Sequence, residues 1–116
     1  MTPKYSTERD KRFETLNLVS LTHKDAEGRV DLEIVGRTLD LSEGGILLEI
    51  PEPVPAGNKE VWVTLGIRDH VFDALGEIVH QRQLENGNLG LGISFKDLPP
   101  EWSGLIADFL RESEKV

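Results

Sequence analysis

The chain has 116 residues, a hydrophobic fraction of 38% and a formal net charge of −8. That length supports one core and not two. That charge opposes broad, sequence-independent binding of DNA or RNA, which needs a basic face, and the absence of cysteine excludes disulfides, thiolate catalysis and cysteine-ligated zinc.

Residues 1–12 have no apolar period. They carry Lys4, Arg9, Lys11 and Arg12 against Glu8 and Asp10, a balance of +2 that leaves −10 for the rest of the chain. A weakly basic leader therefore precedes an acidic body. No apolar stretch follows Met1–Ser6, and no run approaches the length of about 18 apolar residues that a membrane span requires. Neither a secretory signal nor membrane insertion is expected, and cytoplasmic residence is the simplest reading. Arg9, Lys11 and Arg12 fall within four residues. Such a cluster serves as a solvated leader. It also suits an arm folding over a dianionic ligand, since guanidinium grips phosphate bidentately and stacks on purines.

Strand-like patterns begin at Asn17. Asn17–His23 is a short candidate, and Lys24–Gly28 reads as a hairpin turn. Val30, Leu32 and Ile34 then alternate with Asp31, Glu33 and Val35, which is period-two behaviour. A connection at Asp40–Gly45 leads to Ile46–Ile50. Pro51, Pro53 and Pro55 make 51–58 a loop, since proline is not tolerated in a central strand. Val61, Val63, Leu65 and Ile67 alternate with Trp62, Thr64 and Gly66. Arg68–His70 reads as a turn and Val71–Arg82 as the next strand. Glu85–Asn88 reads as a hairpin, because Asn-Gly favours type I′ geometry, and Leu89–Lys96 is the last strand.

The period then changes. Pro99-Pro100-Glu101 marks a helix start, where proline is tolerated. Trp102, Leu105, Ile106, Phe109 and Leu110 fall on one helical face, so the spacing predicts a helix over about 99–113, fraying through Arg111–Val116. Trp62 and Trp102 read as core or helix-seat residues. The whole predicts a mainly β fold: a small six-stranded antiparallel barrel whose closure removes exposed edges, capped by a C-terminal amphipathic helix. Residues 1–12 form the leader and 13–116 a single domain.

Asp40-Leu41-Ser42-Glu43-Gly44-Gly45 stands out between two of these strands. Asp and Ser can hydrogen-bond turn backbone, and glycine supplies positive φ. The same residues can bind a ligand: a carboxylate accepts hydrogen bonds from base N–H groups, and bare glycine backbone allows close approach. Both uses are open on the sequence. Catalytic readings fare worse. His23, His70 and His80 lack helical metal-pair spacing, and no G-x-S-x-G elbow, P-loop or G-x-G-x-x-G follows a strand. Carboxylate pairs such as Glu49 with Glu52, or Asp69 with Asp73, read as solvated surface. No enzyme activity, metal or cofactor is expected. A small barrel binding single-stranded nucleic acid is opposed by the acidic charge.

A basic leader, six strands with D-x-S-x-x-G (Asp40, Ser42, Gly45) between two early ones, a last strand Leu89-Gly90-Leu91-Gly92-Ile93-Ser94-Phe95 and a closing helix together resemble the PilZ domain family, over about residues 9–112. The resemblance implies a split-barrel fold that binds the second messenger cyclic di-GMP without catalysis. It implies an R-x-x-x-R arm whose arginines meet phosphates and guanine edges, with the aspartate and serine on a guanine and glycine allowing close approach. On this chain those roles fall to Arg9 and Arg12, with Lys11 as auxiliary cation, and to Asp40, Ser42, Gly44 and Gly45. The arm departs from the pattern: the position four before Arg12 is Glu8, and Arg9 and Arg12 are spaced R-x-x-R. Losing one bidentate arginine contact costs roughly 1–3 kcal/mol, about ten- to hundredfold in affinity. The expectation is a stand-alone bacterial receptor for cyclic di-GMP that acts through a downstream protein partner and binds no DNA or RNA. The alternative is a degenerate PilZ-like adaptor that binds no nucleotide and works by protein contacts alone.

Overall fold

The computed structural model describes residues 18–67 and 70–114. It contains strands β1 (Leu18–Lys24), β2 (Val30–Leu41), β3 (Gly45–Ile50), β4 (Glu60–Ile67), β5 (His70–Gln83) and β6 (Leu89–Phe95), followed by helix α1 (Pro100–Glu114). The strands close a barrel in the order β1-β2-β3-β6-β5-β4, and all six neighbouring pairs are antiparallel. The predicted six-stranded barrel with a terminal helix is therefore correct. The leader and the Arg68–Asp69 part of the expected turn lie outside the described residues.

The alternation in the sequence becomes the inside and outside of this barrel. Val19, Leu21, Leu48, Ile50, Val61, Val63, Leu65, Leu91 and Ile93 are buried in one cluster, and Ile106 and Phe109 of α1 join it. Trp102 seats the helix, its indole stacked on Phe72 at 4.4 Å between ring centroids. The other tryptophan departs from expectation. Trp62 alternates with the inward Val61 and Val63, so its side chain lies on the outer face and is 41% exposed.

Two hairpins use the same turn chemistry. Gly28 N donates to Asp25 O and Asp25 N donates to Arg29 O; Gly87 N donates to Leu84 O and Leu84 N to Asn88 O. Each closes through a left-handed glycine, Gly28 at φ 85° and Gly87 at φ 91°. The Asn86-Gly87 signal therefore marks a four-residue turn, Leu84–Gly87, that ends in a left-handed glycine, not the two-residue type I′ loop that the dipeptide suggested.

Two buried polar side chains fasten the barrel. The His23 side chain is fully buried, with Nδ1 donating to Asp31 Oδ1 at 2.6 Å and Nε2 to the Asn58 carbonyl at 2.7 Å. Both partners only accept, so both bonds are made together only when both ring nitrogens carry protons, in the imidazolium form. Burial pulls its pKa down, but the Asp31 hydrogen bond, the Asn58 carbonyl and the charges of Asp31 and Asp25 outweigh this and raise it. Glu49, expected to be solvated, is 7% exposed. It accepts from Arg37 Nη2 at 2.6 Å, Asn86 Nδ2 at 2.6 Å and Asn88 Nδ2 at 2.8 Å. These bonds hold its pKa down at about 2, with those from Asn88, Arg37 and Asn86 each outweighing the cost of burial.

Candidate functional site

The D-x-S-x-x-G residues divide between strand and turn. Asp40 and Leu41 end β2, so the connection to β3 is shorter than the sequence suggested. Ser42 N donates to Gly45 O at 2.9 Å, closing the turn, and Ser42 Oγ lies 3.4 Å from the same carbonyl. Glu43 at its tip accepts from Ser103 Oγ of α1 at 3.2 Å. Asp40 Oδ1 accepts from Leu41 N at 3.0 Å, and its second oxygen has no partner among the described residues.

The glycines are not there for positive φ, which in the described chain occurs at Gly28, Gly57 and Gly87. Gly45 is required by close packing: a Cβ there would lie 2.2 Å from the Ile93 carbonyl of β6. Gly44 meets nothing within 4 Å of an added Cβ, so its side is open.

A bulge decides where Asp40 points. On β2, Thr38 pairs with Leu48 and Asp40 with Leu47, leaving Leu39 as the extra residue. Strict alternation after the inward Thr38 would turn Asp40 into the core. The extra residue turns it outward instead, a recognised use of bulges. A second bulge does the same on β5. Ile78 pairs with Ile93 and His80 with Gly92, with Val79 as the extra residue, so His80 also faces outward. Because Leu47 pairs with Gly92, one outer rung runs Asp40–Leu47–Gly92–His80 across four strands.

That rung crosses a cleft of about 400 Å³ lined by Asp40, Ser42, Gly44, Gly45, Ile46, Leu47, Val79, His80, Gly92, Ile93 and Ser94. The four motif residues that the sequence singled out, Asp40, Ser42, Gly44 and Gly45, thus meet in one place. Arg9, Lys11 and Arg12 lie outside the described residues. Sequence reasoning missed the far wall. His80 carries no motif, and only the Gly90–Gly92 spacing, two small residues on one face of β6, hinted at a trough beside it. A Cβ on Gly92 would lie 2.4 Å from His80 Cε1, so the imidazole occupies the space that this glycine leaves. A second cleft of about 290 Å³ lies beyond His80, against Val54–Lys59, and contains no motif residue.

The cleft is open, polar at its ends and apolar at its centre. It can accept a planar, hydrogen-bonding ligand: Asp40 offers carboxylate lone pairs, Ser42 a hydroxyl, and Leu47 an apolar floor. Among the described residues no group of three or more His, Asp or Glu side chains could hold a metal ion, and no helix is long and apolar enough to cross a membrane.

Comparison with known proteins identifies the fold and the family. The family model described as PilZ domain matches residues 6–112. Among solved structures, the PilZ domain of CeSA from a cellulose-synthesizing bacterium aligns with a TM-score of 0.56 at 18% identity, covering 85% of this chain and 93% of that one. YcgR of Escherichia coli in complex with c-di-GMP aligns with a TM-score of 0.60 at 17% identity, covering 84% of this chain and 42% of that one. The PilZ domain of YcgR with c-di-GMP aligns at 0.53 and 19% identity, covering 84% and 86%. These likenesses carry the fold. A search of curated proteins finds no match.

Proposed function

Because the chain belongs to the PilZ domain family, we propose that it is a non-catalytic receptor for cyclic di-GMP and that the ligand docks in the cleft of the outer Asp40 rung. The observation that carries this reading is the convergence of Asp40, Ser42, Gly44 and Gly45 on that cleft. Asp40, with a carboxylate oxygen unpartnered among the described residues, accepts from a guanine edge. Ser42 bonds the same base, and Gly44 leaves room for it. Arg9 and Arg12, with Lys11, close over the phosphates from the leader, since guanidinium suits both phosphate and purine. Two similar structures were solved with c-di-GMP, which supports this choice of ligand.

The signal passes to a protein partner. Glu43 sits between two cleft residues and is tied to Ser103 of α1, so an occupied turn can bias the helix surface that a partner reads. Contact of the leader with a bound ligand would change the surface further. A second reading, a PilZ-like adaptor that binds no nucleotide, is favoured by one observation: Glu8 occupies the position four before Arg12.

An amide NMR titration with cyclic di-GMP tests the proposal. Shifts concentrated at residues 8–13 and 38–46, abolished in Asp40→Ala, are the expected result. No shifts at millimolar ligand would overturn the receptor and leave the adaptor.

A further inference from the structure

The far wall of the cleft has its own construction. Without the Val79 bulge, alternation from the inward Ile78 would turn His80 into the core; with it, His80 faces outward on the same rung as Asp40. Two bulges on separate strands thus aim one polar side chain each at opposite ends of one rung. Three interstrand steps separate β2 from β5, about 14 Å. That is more than a base spans and suits a base together with its sugar and phosphate.

The floor between the ends is lowered on purpose of packing. β6 presents Gly92 opposite His80 and Gly90 opposite Arg82. The His80 ring fills the space above Gly92, and the Arg82 Cγ lies 3.8 Å from where a Cβ on Gly90 would be. The space above Gly90 is filled first by Leu84, whose Cδ2 lies 3.2 Å from such a Cβ, so Arg82 stands beside the cleft lining, one rung from His80 and about 7 Å along the strand. That is within reach of an arginine side chain.

Charge supplies the remaining reason. The cleft and its turn carry Asp40 and Glu43, and a dianion needs cations nearby. Arg37 is held by Glu49 and Lys96 by Glu60. Arg82 forms no ion pair with a described residue, and His80 makes no hydrogen bond with one. An imidazole offers at least one N–H in either protonation state, and guanidinium offers five.

We infer that His80 and Arg82 are ligand-binding residues: β5 supplies a phosphate-facing wall, opposite the base-reading edge made by Asp40 and Ser42. The ligand class is a nucleotide with an anionic backbone, and the inference rests on the receptor reading above. It gives the site a cation that does not come from the leader, where the arginine spacing is altered.

The test is isothermal titration of the full chain with cyclic di-GMP, comparing wild type with His80→Ala, Arg82→Ala and the control Gln83→Ala at two salt concentrations. Both substituted residues are exposed, so thermal melts should stay at the wild-type position. Each of the two wall variants should lose about tenfold in affinity, the worth of one charge-assisted hydrogen bond, and Arg82→Ala should also flatten the salt dependence. Gln83→Ala should bind as wild type does. Wild-type binding with both wall variants within twofold would overturn the inference and leave the receptor standing. Loss in only one variant would overturn the shared wall. A wild type that does not bind would remove the receptor reading, and the wall with it.

Discussion

Glu49 offers the sharpest thermodynamic test, because one side chain joins three parts of the barrel. From β3 it holds Arg37 of β2 and, through Asn86 and Asn88, the β5–β6 hairpin. Glu49→Gln keeps the shape and removes the charge. The folded carboxyl has its pKa lowered from 4.5 to about 2, and at about 1.4 kcal/mol per pH unit this corresponds to roughly 3 kcal/mol at neutral pH. Arg37 is 54% exposed, so solvent screens its share, and a measured loss of about 2–3 kcal/mol is expected. The sign follows from the depressed folded value. The contribution is present above the unfolded pKa near 4.5 and disappears as pH falls toward 2. Urea unfolding of wild type and variant at pH 7, 5, 3.5 and 2.5 should therefore show a gap that is full at pH 7 and closes at the acid end. A gap that stays constant across that range would refute the charge-based account and leave only packing. A gap under about 0.5 kcal/mol at pH 7 would show the clasp to be no stronger than an exposed pair.

Two further predictions concern the barrel and the motif. His23 bonds two acceptors as an imidazolium, and its folded pKa is raised above 6.5, so its stabilisation is complete below about pH 6.5 and lost as pH rises through the folded value. Above it one acceptor loses its donor, at about 1–3 kcal/mol; melts from pH 6 to 9 should show the decline, and His23→Gln should flatten it. Gly45→Ala should destabilise by several kcal/mol, since its Cβ would meet the Ile93 carbonyl at 2.2 Å and backbone must move. Gly44→Ala should stay within about 0.5 kcal/mol of wild type. Chemical denaturation of the pair decides the matter, and the reverse order would contradict the assignment of Gly45 as the packing glycine.

Much of the fold was legible because a small barrel has one inside and one outside. The alternation of Val61, Val63 and Leu65 with Trp62 and Thr64, and the helical spacing of Trp102, Ile106 and Phe109, are direct traces of it. The motif end of the site was legible for a different reason: its chemistry is concentrated in six adjacent residues. Three things were not. The Glu49 clasp draws on Arg37, Asn86 and Asn88, 12 to 39 residues away in the chain, and nothing local marks a carboxylate for burial. The reason for Gly45 lies on another strand, in the Ile93 carbonyl. The bulges at Leu39 and Val79 are set by pairing with β3 and β6, and nothing in the local sequence marks the extra residue that turns Asp40 and His80 outward.

Those bulges explain how so small a fold can present the proposed site. The barrel interior is filled by leucine, isoleucine and valine side chains, so a ligand must bind outside. On the outer face, polarity follows from alternation, and moving one residue from inside to outside by a register slip would turn the rest of its strand inside out. An extra residue changes the facing at one point only, and the residues on either side keep their hydrophobic partners: Thr38 and Leu41 on β2, Ile78 and its Ile93 partner on β5 and β6. The proposed site is therefore assembled by local irregularities in a register that closure otherwise fixes. The glycine at the floor acts in the same way. Gly92 gives up a side chain on β6, which weakens a strand, yet its neighbours Leu91 and Ile93 remain buried, and the Glu49 clasp one rung away holds the hairpin that carries them. The proposed binding geometry and the barrel's stability are thus set largely by alternate residues of the same strands, and Gly45, which lines the cleft and packs against β6, is where the two meet.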